Sequence, residues 1–167
     1  MITIEMESGK KIEVELYKKK APNSCNNFLS LIDKGFYNGL KFHRVISGFM
    51  IQGGCPKGIG NGGPGYSIKG EFKANGFDND IAHERGVLSM ARAQDMNSAG
   101  SQFFLMHKDS PHLDGSYAAF GKVTSGMDVV DEIAACQTAA GDKPLEDQKI
   151  KKVTIFDEGE IVEPEKV

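Results

Sequence analysis

The sequence predicts a mainly β fold: a closed eight-stranded antiparallel β-barrel capped by two α-helices, as one domain over residues 1–167. Three observations carry this expectation. Several short stretches alternate apolar and polar residues with period 2, the pattern of a strand with one buried face. Twenty glycines punctuate the chain, marking frequent turns. Only two stretches carry helical periodicity, and they do not alternate with strands as βαβ units would. A chain of 167 residues, 40% of them hydrophobic, can bury a core without staples.

Ile2, Ile4 and Met6 alternate with Thr3, Glu5 and Glu7, and after Ser8-Gly9 the pattern resumes with Ile12, Val14 and Leu16. Two such runs around a glycine turn read as a hairpin. Pro22 suits a first helical turn. Cys25, Phe28, Leu29 and Ile32 then form one apolar helical stripe, with Gly35 placed for a left-handed cap. Residues 42–52 read as a strand region. The glycine-rich run from Lys57 to Tyr66 lacks the helix N-terminus and Lys-Ser/Thr of a phosphate cradle, so it reads as a loop whose backbone a ligand approaches. Strands follow at 86–93 and 100–106, and in the second Gln102 and Phe104 share the face opposite Phe103 and Leu105. After a turn at Leu113–Tyr117 comes a strand from Ala118 to Val123. Met127, Val130, Ile133 and Ala134 mark a second helix, with Asp128 in its first turn. A polar loop spans 137–148, Val153 and Ile155 mark a last strand, and residues 158–167 read as a loosely held acidic end.

The totals exclude several function classes. A net charge of −3 argues against nucleic-acid binding, which needs a basic face. No run approaches the roughly 18 apolar residues of a membrane span, and the N-terminus has no leader-like pattern. Cys25, Cys55 and Cys136 are odd in number and far apart, which fits a reducing cytoplasm. His43, His83, His107 and His112 show no metal-ligand spacing, so no metal and no cofactor is expected. Ser101 sits in Gly-Ser-Gln, outside a nucleophile elbow.

What remains is Arg44 and Gln52 within an otherwise apolar stretch, with more amides and aromatics downstream. A fixed cation, amides and apolar groups suit a reaction with no covalent intermediate and no proton transfer. Rotation about an Xaa-Pro bond is one, with a barrier of about 18–20 kcal/mol. A barrel holding proline peptides without turning them over, or one carrying a small apolar ligand, draws on much the same inventory. The apolar strand residues would fill a lumen, which disfavours the ligand carrier.

The motifs Phe42-His43-Arg44-Val45-Ile46 and Gly48-Phe49-Met50-Ile51-Gln52-Gly53-Gly54 resemble the signature segment of the cyclophilin family of peptidyl-prolyl isomerases. So do Gly86-Val87-Leu88-Ser89-Met90-Ala91, Gly100-Ser101-Gln102-Phe103-Phe104 and Phe120-Gly121-Lys122-Val123, and the similarity spans nearly the whole chain. The resemblance implies an eight-stranded barrel with two helices and assigns Arg44 as the catalytic arginine. It places Phe49, Met50, Phe104 and Leu113 in the proline pocket. Gln52, Gln102 and the Ala91-Arg92 backbone would hold the peptide, with Gly62 at the rim. The implied partners are proline-containing peptides and unfolded or partly folded proteins; independently, the acidic surface and the absence of an apolar stripe fit a monomer. Three residues depart from the family pattern. His112 stands where eukaryotic members commonly carry the tryptophan that contacts cyclosporin, and the chain has no tryptophan, so weak cyclosporin binding is expected. Tyr117 replaces a pocket histidine, and Arg92 replaces a common asparagine, which bears on preference beside the proline. Tyr117 and the Cys55-Pro56-Lys57-Gly58 loop resemble bacterial or archaeal members.

Overall fold

The computed structural model describes residues 1–167. Strands β1 (Ile2–Met6) and β2 (Lys11–Leu16) precede helix α1 (Pro22–Asp33), and β3 (Arg44–Ile46) and β4 (Met50–Gly53) follow. Next come β5 (Val87–Met90), β6 (Phe103–Met106), β7 (Ala119–Ser125) and helix α2 (Met127–Ala134). Two short strands, β8 (Thr138–Ala139) and β9 (Lys143–Pro144), pair inside the loop expected to be irregular, and β10 (Ile150–Ile155) ends the sheet. The main sheet has eight antiparallel strands in the order β10-β1-β2-β7-β5-β6-β4-β3.

The period-2 stretches form strands for the expected reason. Ile2, Ile4 and Met6 point inward, and Ile2 and Ile4 pair with Ile155 and Val153 of β10. The sheet curls around a 31-residue apolar cluster in which Phe28 meets Phe103 and Phe120 edge-on, each at 5.3 Å between ring centres. Helix α1 buries its Cys25-Phe28-Leu29-Ile32 stripe there, and Gly35 takes the left-handed conformation just beyond its end. Its N-terminus has no local side-chain cap. Instead Glu71 accepts from the Asn23 and Ser24 N–H groups at 3.2 and 2.6 Å and from the Ser24 hydroxyl at 2.7 Å. A carboxylate there satisfies orphan donors and complements the helix dipole.

Two expectations are corrected. The sheet is a curled half-barrel, since no ladder joins its edge strands β3 and β10. Strand β3 is only three residues long, and its Val45 N–H donates to Asp142 of the β8–β9 hairpin instead. Just before β3, residues 39–42 cross the remaining seam through Gly39 N–H to Ile150 O at 2.9 Å, Ile150 N–H to Leu40 O at 2.8 Å and Phe42 N–H to Gln148 O at 2.9 Å, around the isolated Lys41–Lys149 bridge. The acidic C-terminal segment is pinned rather than loose. Asn23 exchanges two side-chain hydrogen bonds with the Glu165 backbone, at 2.9 and 2.8 Å. Glu163 accepts from Ser30 and pairs with Lys34, and Pro164 is buried. Composition shows few apolar residues there, but it does not show the polar partners waiting on α1. No helix is long and apolar enough to cross a membrane.

Candidate active site

The site grows from strand register. The 42–52 stretch is broken by a turn at Ser47–Phe49, with Gly48 at positive φ, so β3 and β4 fold back on each other and Arg44 faces Gln52. Gln52 in turn lies opposite Phe104 of β6, and Phe104 opposite Ser89 of β5. Because alternate residues point to opposite faces, Phe103 and Leu105 enter the main core while Phe104 and Met106 turn outward. There they join Met50, Val87, Leu113 and Ala119 in a second, six-residue apolar cluster on the other face of the sheet.

Over this cluster opens a cleft of about 140 Å³ lined by Arg44, Phe49, Met50, Gln52, Ala91, Arg92, Phe104, Leu113 and Tyr117. Every one of the nine is among the residues singled out from the sequence. Gln102 and Gly62 instead line an adjoining polar cleft of about 370 Å³, which shares Gln52, Ala91 and Arg92 with the first. His112 lines neither; its exposed ring packs against Phe49 at 5.6 Å between centres.

A hydrogen-bond chain fixes the polar groups. Arg44 Nη1 donates to Gln52 Oε1 at 3.3 Å, and Gln52 Nε2 donates to Gln102 Oε1 at 3.0 Å. Gln102 Nε2 then donates to the Gly60 and Gly62 carbonyls, each at 2.9 Å. The glycine-rich loop supplying those carbonyls folds around Cys55, whose sulfur accepts from the Gly60 and Gly62 N–H groups at 3.3 and 3.2 Å. Burial would raise the Cys55 pKa, but the loop's N–H donors outweigh it and hold the thiol below its usual value. Gly54 starts the loop at φ +88°, where a Cβ would lie 2.5 Å from the Ser101 carbonyl, so only glycine fits.

Sequence reasoning gave Arg92 a backbone role, and the structure adds a side-chain one. Its Nε and Nη2 donate to the Ser116 carbonyl at 3.1 and 2.7 Å, and Nη1 donates to Ala93 and Gln94 carbonyls. The guanidinium lies 4.9 Å from the Phe72 ring centre and 4.7 Å from that of Tyr117. Tyr117 meets Phe104 edge-on at 5.9 Å.

One contributor escaped the sequence reading. His83, set aside as one of several scattered histidines, is buried and stacks on Phe104, 6.2 Å between ring centres. Its Nδ1 lies 3.0 Å from Asp114 and its Nε2 2.8 Å from the Ser89 hydroxyl. A carboxylate only accepts, so Nδ1 carries the proton and Nε2 accepts from Ser89. Burial pushes the His83 pKa down, against the opposing pull of Asp114, and favours that neutral form. Although Asp, His and Ser stand in line, Ser89 is fully buried and out of a substrate's reach. The chain supports the pocket wall and is no nucleophilic relay. Only the β5–β6 register and the turn after Leu113 bring the three together, and no local spacing announces that.

Residues 1–155 match the model of the cyclophilin type peptidyl-prolyl cis-trans isomerase family. The chain is 54% identical over 123 residues to peptidyl-prolyl cis-trans isomerase B of Bacillus subtilis, covering 74% of this chain and 82% of that one. It is 51% identical over 133 residues to a peptidyl-prolyl cis-trans isomerase of Helicobacter pylori, covering 78% of each. Among solved structures, a Cryptosporidium parvum cyclophilin type isomerase, crystallised in the presence of the dipeptide Ala-Pro, superposes with a TM-score of 0.85. The identity there is 34%, over 93% of this chain and 98% of that one. The strand order, the apolar outer cleft and these likenesses lead to one assignment: the chain belongs to the cyclophilin-type peptidyl-prolyl cis-trans isomerases.

Proposed function

We propose that the Arg44 cleft is where this isomerase rotates Xaa-Pro bonds, with Arg44 as its catalytic residue and without a covalent intermediate. As the bond twists, the prolyl nitrogen loses conjugation and gains a usable lone pair. A guanidinium N–H donating to that lone pair favours the twisted state over either planar isomer. Arginine suits the role because it stays charged and presents its donors in a rigid plane. The observation that carries the reading is the position of Arg44 on an apolar pocket, bonded only to Gln52. Phe49, Met50, Phe104 and Leu113 would hold the proline ring, with Tyr117 covering it. Gln52, Gln102 and the Ala91-Arg92 backbone would grip the peptide beside it, with Gly62 at the rim. No cofactor is needed for this chemistry.

Magnitudes set the division of labour. Reaching milliseconds from an uncatalysed reaction of roughly tens to hundreds of seconds needs a 10⁴- to 10⁵-fold acceleration, about 6–7 kcal/mol. A hydrogen bond from a charged donor contributes about 1.5–3 kcal/mol. The rest comes from excluding water around the amide and from preorganised donors. Arg44→Ala is therefore expected to slow isomerisation of an Ala-Pro peptide by about 10- to 100-fold while peptide binding persists. Equal rates for wild type and Arg44→Ala in a protease-coupled assay would refute the mechanism.

The substrates on this reading are proline-containing peptides and unfolded or partly folded chains, handled by a monomer in the cytoplasm. Cyclosporin binds weakly, because His112 offers no indole N–H where sensitive relatives carry tryptophan.

A further inference from the structure

The chain has three arginines, and Arg85 alone is matched by an acid, its two terminal nitrogens donating to Asp131 at 2.7 Å each. Surface lysines such as Lys10, Lys20 and Lys34 are likewise paired with carboxylates. Arg44 and Arg92 are different, for their partners are an amide and backbone carbonyls. Both line the apolar pocket, and no other charged side chain does. Arg92 also lines the adjoining polar cleft, where it is the only charged side chain among 15 residues. Asp95 and Asp114, close to Arg92 and Leu113 in the sequence, line neither cleft; Asp95 accepts from Asn97 N–H at 2.8 Å, and Asp114 is bonded to His83. In a protein of net charge −3, the groove thus carries two positive charges and no negative one.

The Arg92 cation is also held on several sides. Four N–H bonds to carbonyls and two flanking rings hold it, so little conformational freedom is left to lose when an anion arrives. Carbonyl dipoles orient the guanidinium without cancelling its charge. It lines both the pocket and the polar cleft; with a proline in the pocket, a flanking residue would pass beside it.

We infer that the groove selects prolines flanked by a residue with a carboxylate side chain, and that Arg92 is the specificity-determining cation. This rests on the Arg44 cleft being the isomerase site. Lysine in the same flanking position is disfavoured by both arginines.

The test is exchange NMR on tetrapeptides with Glu, Gln or Lys directly before the proline, and a parallel set with the same residues after it. In wild type at low salt, kcat/KM for Glu over Gln is expected to be about three- to fivefold in one of the two sets, with Lys below Gln. The ratio should fall toward one in Arg92→Gln and in about 1 M salt, and be partly kept in Arg92→Lys. Because each ratio is taken within one enzyme, a general loss of activity in a variant does not disturb it. A wild-type ratio of one in both sets, or one unchanged in Arg92→Gln, overturns the inference. Should Arg92→Gln not fold, a ratio insensitive to salt overturns it equally. If no peptide is accelerated at all, the isomerase reading of the cleft fails instead, a different outcome.

Discussion

A buried histidine holds the wall of the Arg44 cleft. His83 backs Phe104 through ring stacking and is itself fixed by Asp114 and Ser89. Its pKa in the folded protein lies below the ordinary 6.5, mainly through burial. Unfolding therefore takes up a proton when the solution is acidic enough to charge the freed ring. The stability from neutral His83 is complete above about pH 6.5 and is lost as pH falls below it, by up to about 1.4 kcal/mol per pH unit. Replacing His83 by Gln should destabilise by about 1–3 kcal/mol at pH 7.5, leaving buried partners unmatched. The gap to wild type should then narrow between pH 6.5 and 5.5. Urea midpoints at these pH values check it; a constant gap would show that His83 titrates alike in both states. Arg44 was legible because a charged residue inside an apolar strand demands an explanation, and the surrounding motif supplied one. His83 was not, because Asp114 lies 31 residues away and only the folded register makes them neighbours.

Secondary-structure elements show the same divide between local and distant causes. The first hairpin and both helices could be read because their periodicity lies within consecutive residues. The cap of α1 could not, since its acceptor comes from Glu71, 47 residues beyond Ser24. Glu71 is almost completely buried, so its carboxylate has no water to fall back on. Removing it in Glu71→Ala leaves two backbone N–H groups and a hydroxyl unmatched at a helix end, a loss of about 2–4 kcal/mol. Glu71→Gln keeps an acceptor but not the charge and should fall between. Chemical denaturation reads both. An alanine variant as stable as wild type would mean that solvent already satisfies those donors. Splitting 42–52 into β3 and β4 has a comparable origin: Gly48 signals a turn, but only pairing of the two halves sets Arg44 opposite Gln52.

At the scale of the molecule, one curled sheet supports two apolar clusters, and the smaller outer one lies under the Arg44 cleft. Alternation predicted that division, since Gln102 and Phe104 were bound to face away from Phe103. It did not predict the open seam, because strand counts do not say whether the last strand reaches the third. Nor did composition foresee the C-terminal segment, which ties itself to α1 and to the wall of the polar cleft. Val167 N–H donates to the Ser67 carbonyl at 2.9 Å, and Lys166 lies 4.3 Å from the Tyr66 ring centre. Tyr66 and Ser67 both line that cleft, and Tyr66 donates to Asn27 of α1. The segment also starts from a fixed point, as Glu158 pairs with the Met1 amino group and with Lys18. A chain lacking residues 158–167 loses both attachments and the burial of Pro164. Its melting temperature should drop by about 3–8 °C, given that a protein of this size shifts roughly 2–4 °C per kcal/mol. Released from Lys166 and Val167, the Tyr66–Ser67 wall should loosen, raising KM for peptides long enough to reach the polar cleft. The kcat for an Ala-Pro peptide confined to the Arg44 pocket should stay the same. Unchanged melting, with KM constant for long and short peptides alike, would mean the segment rests on the surface without holding anything in place.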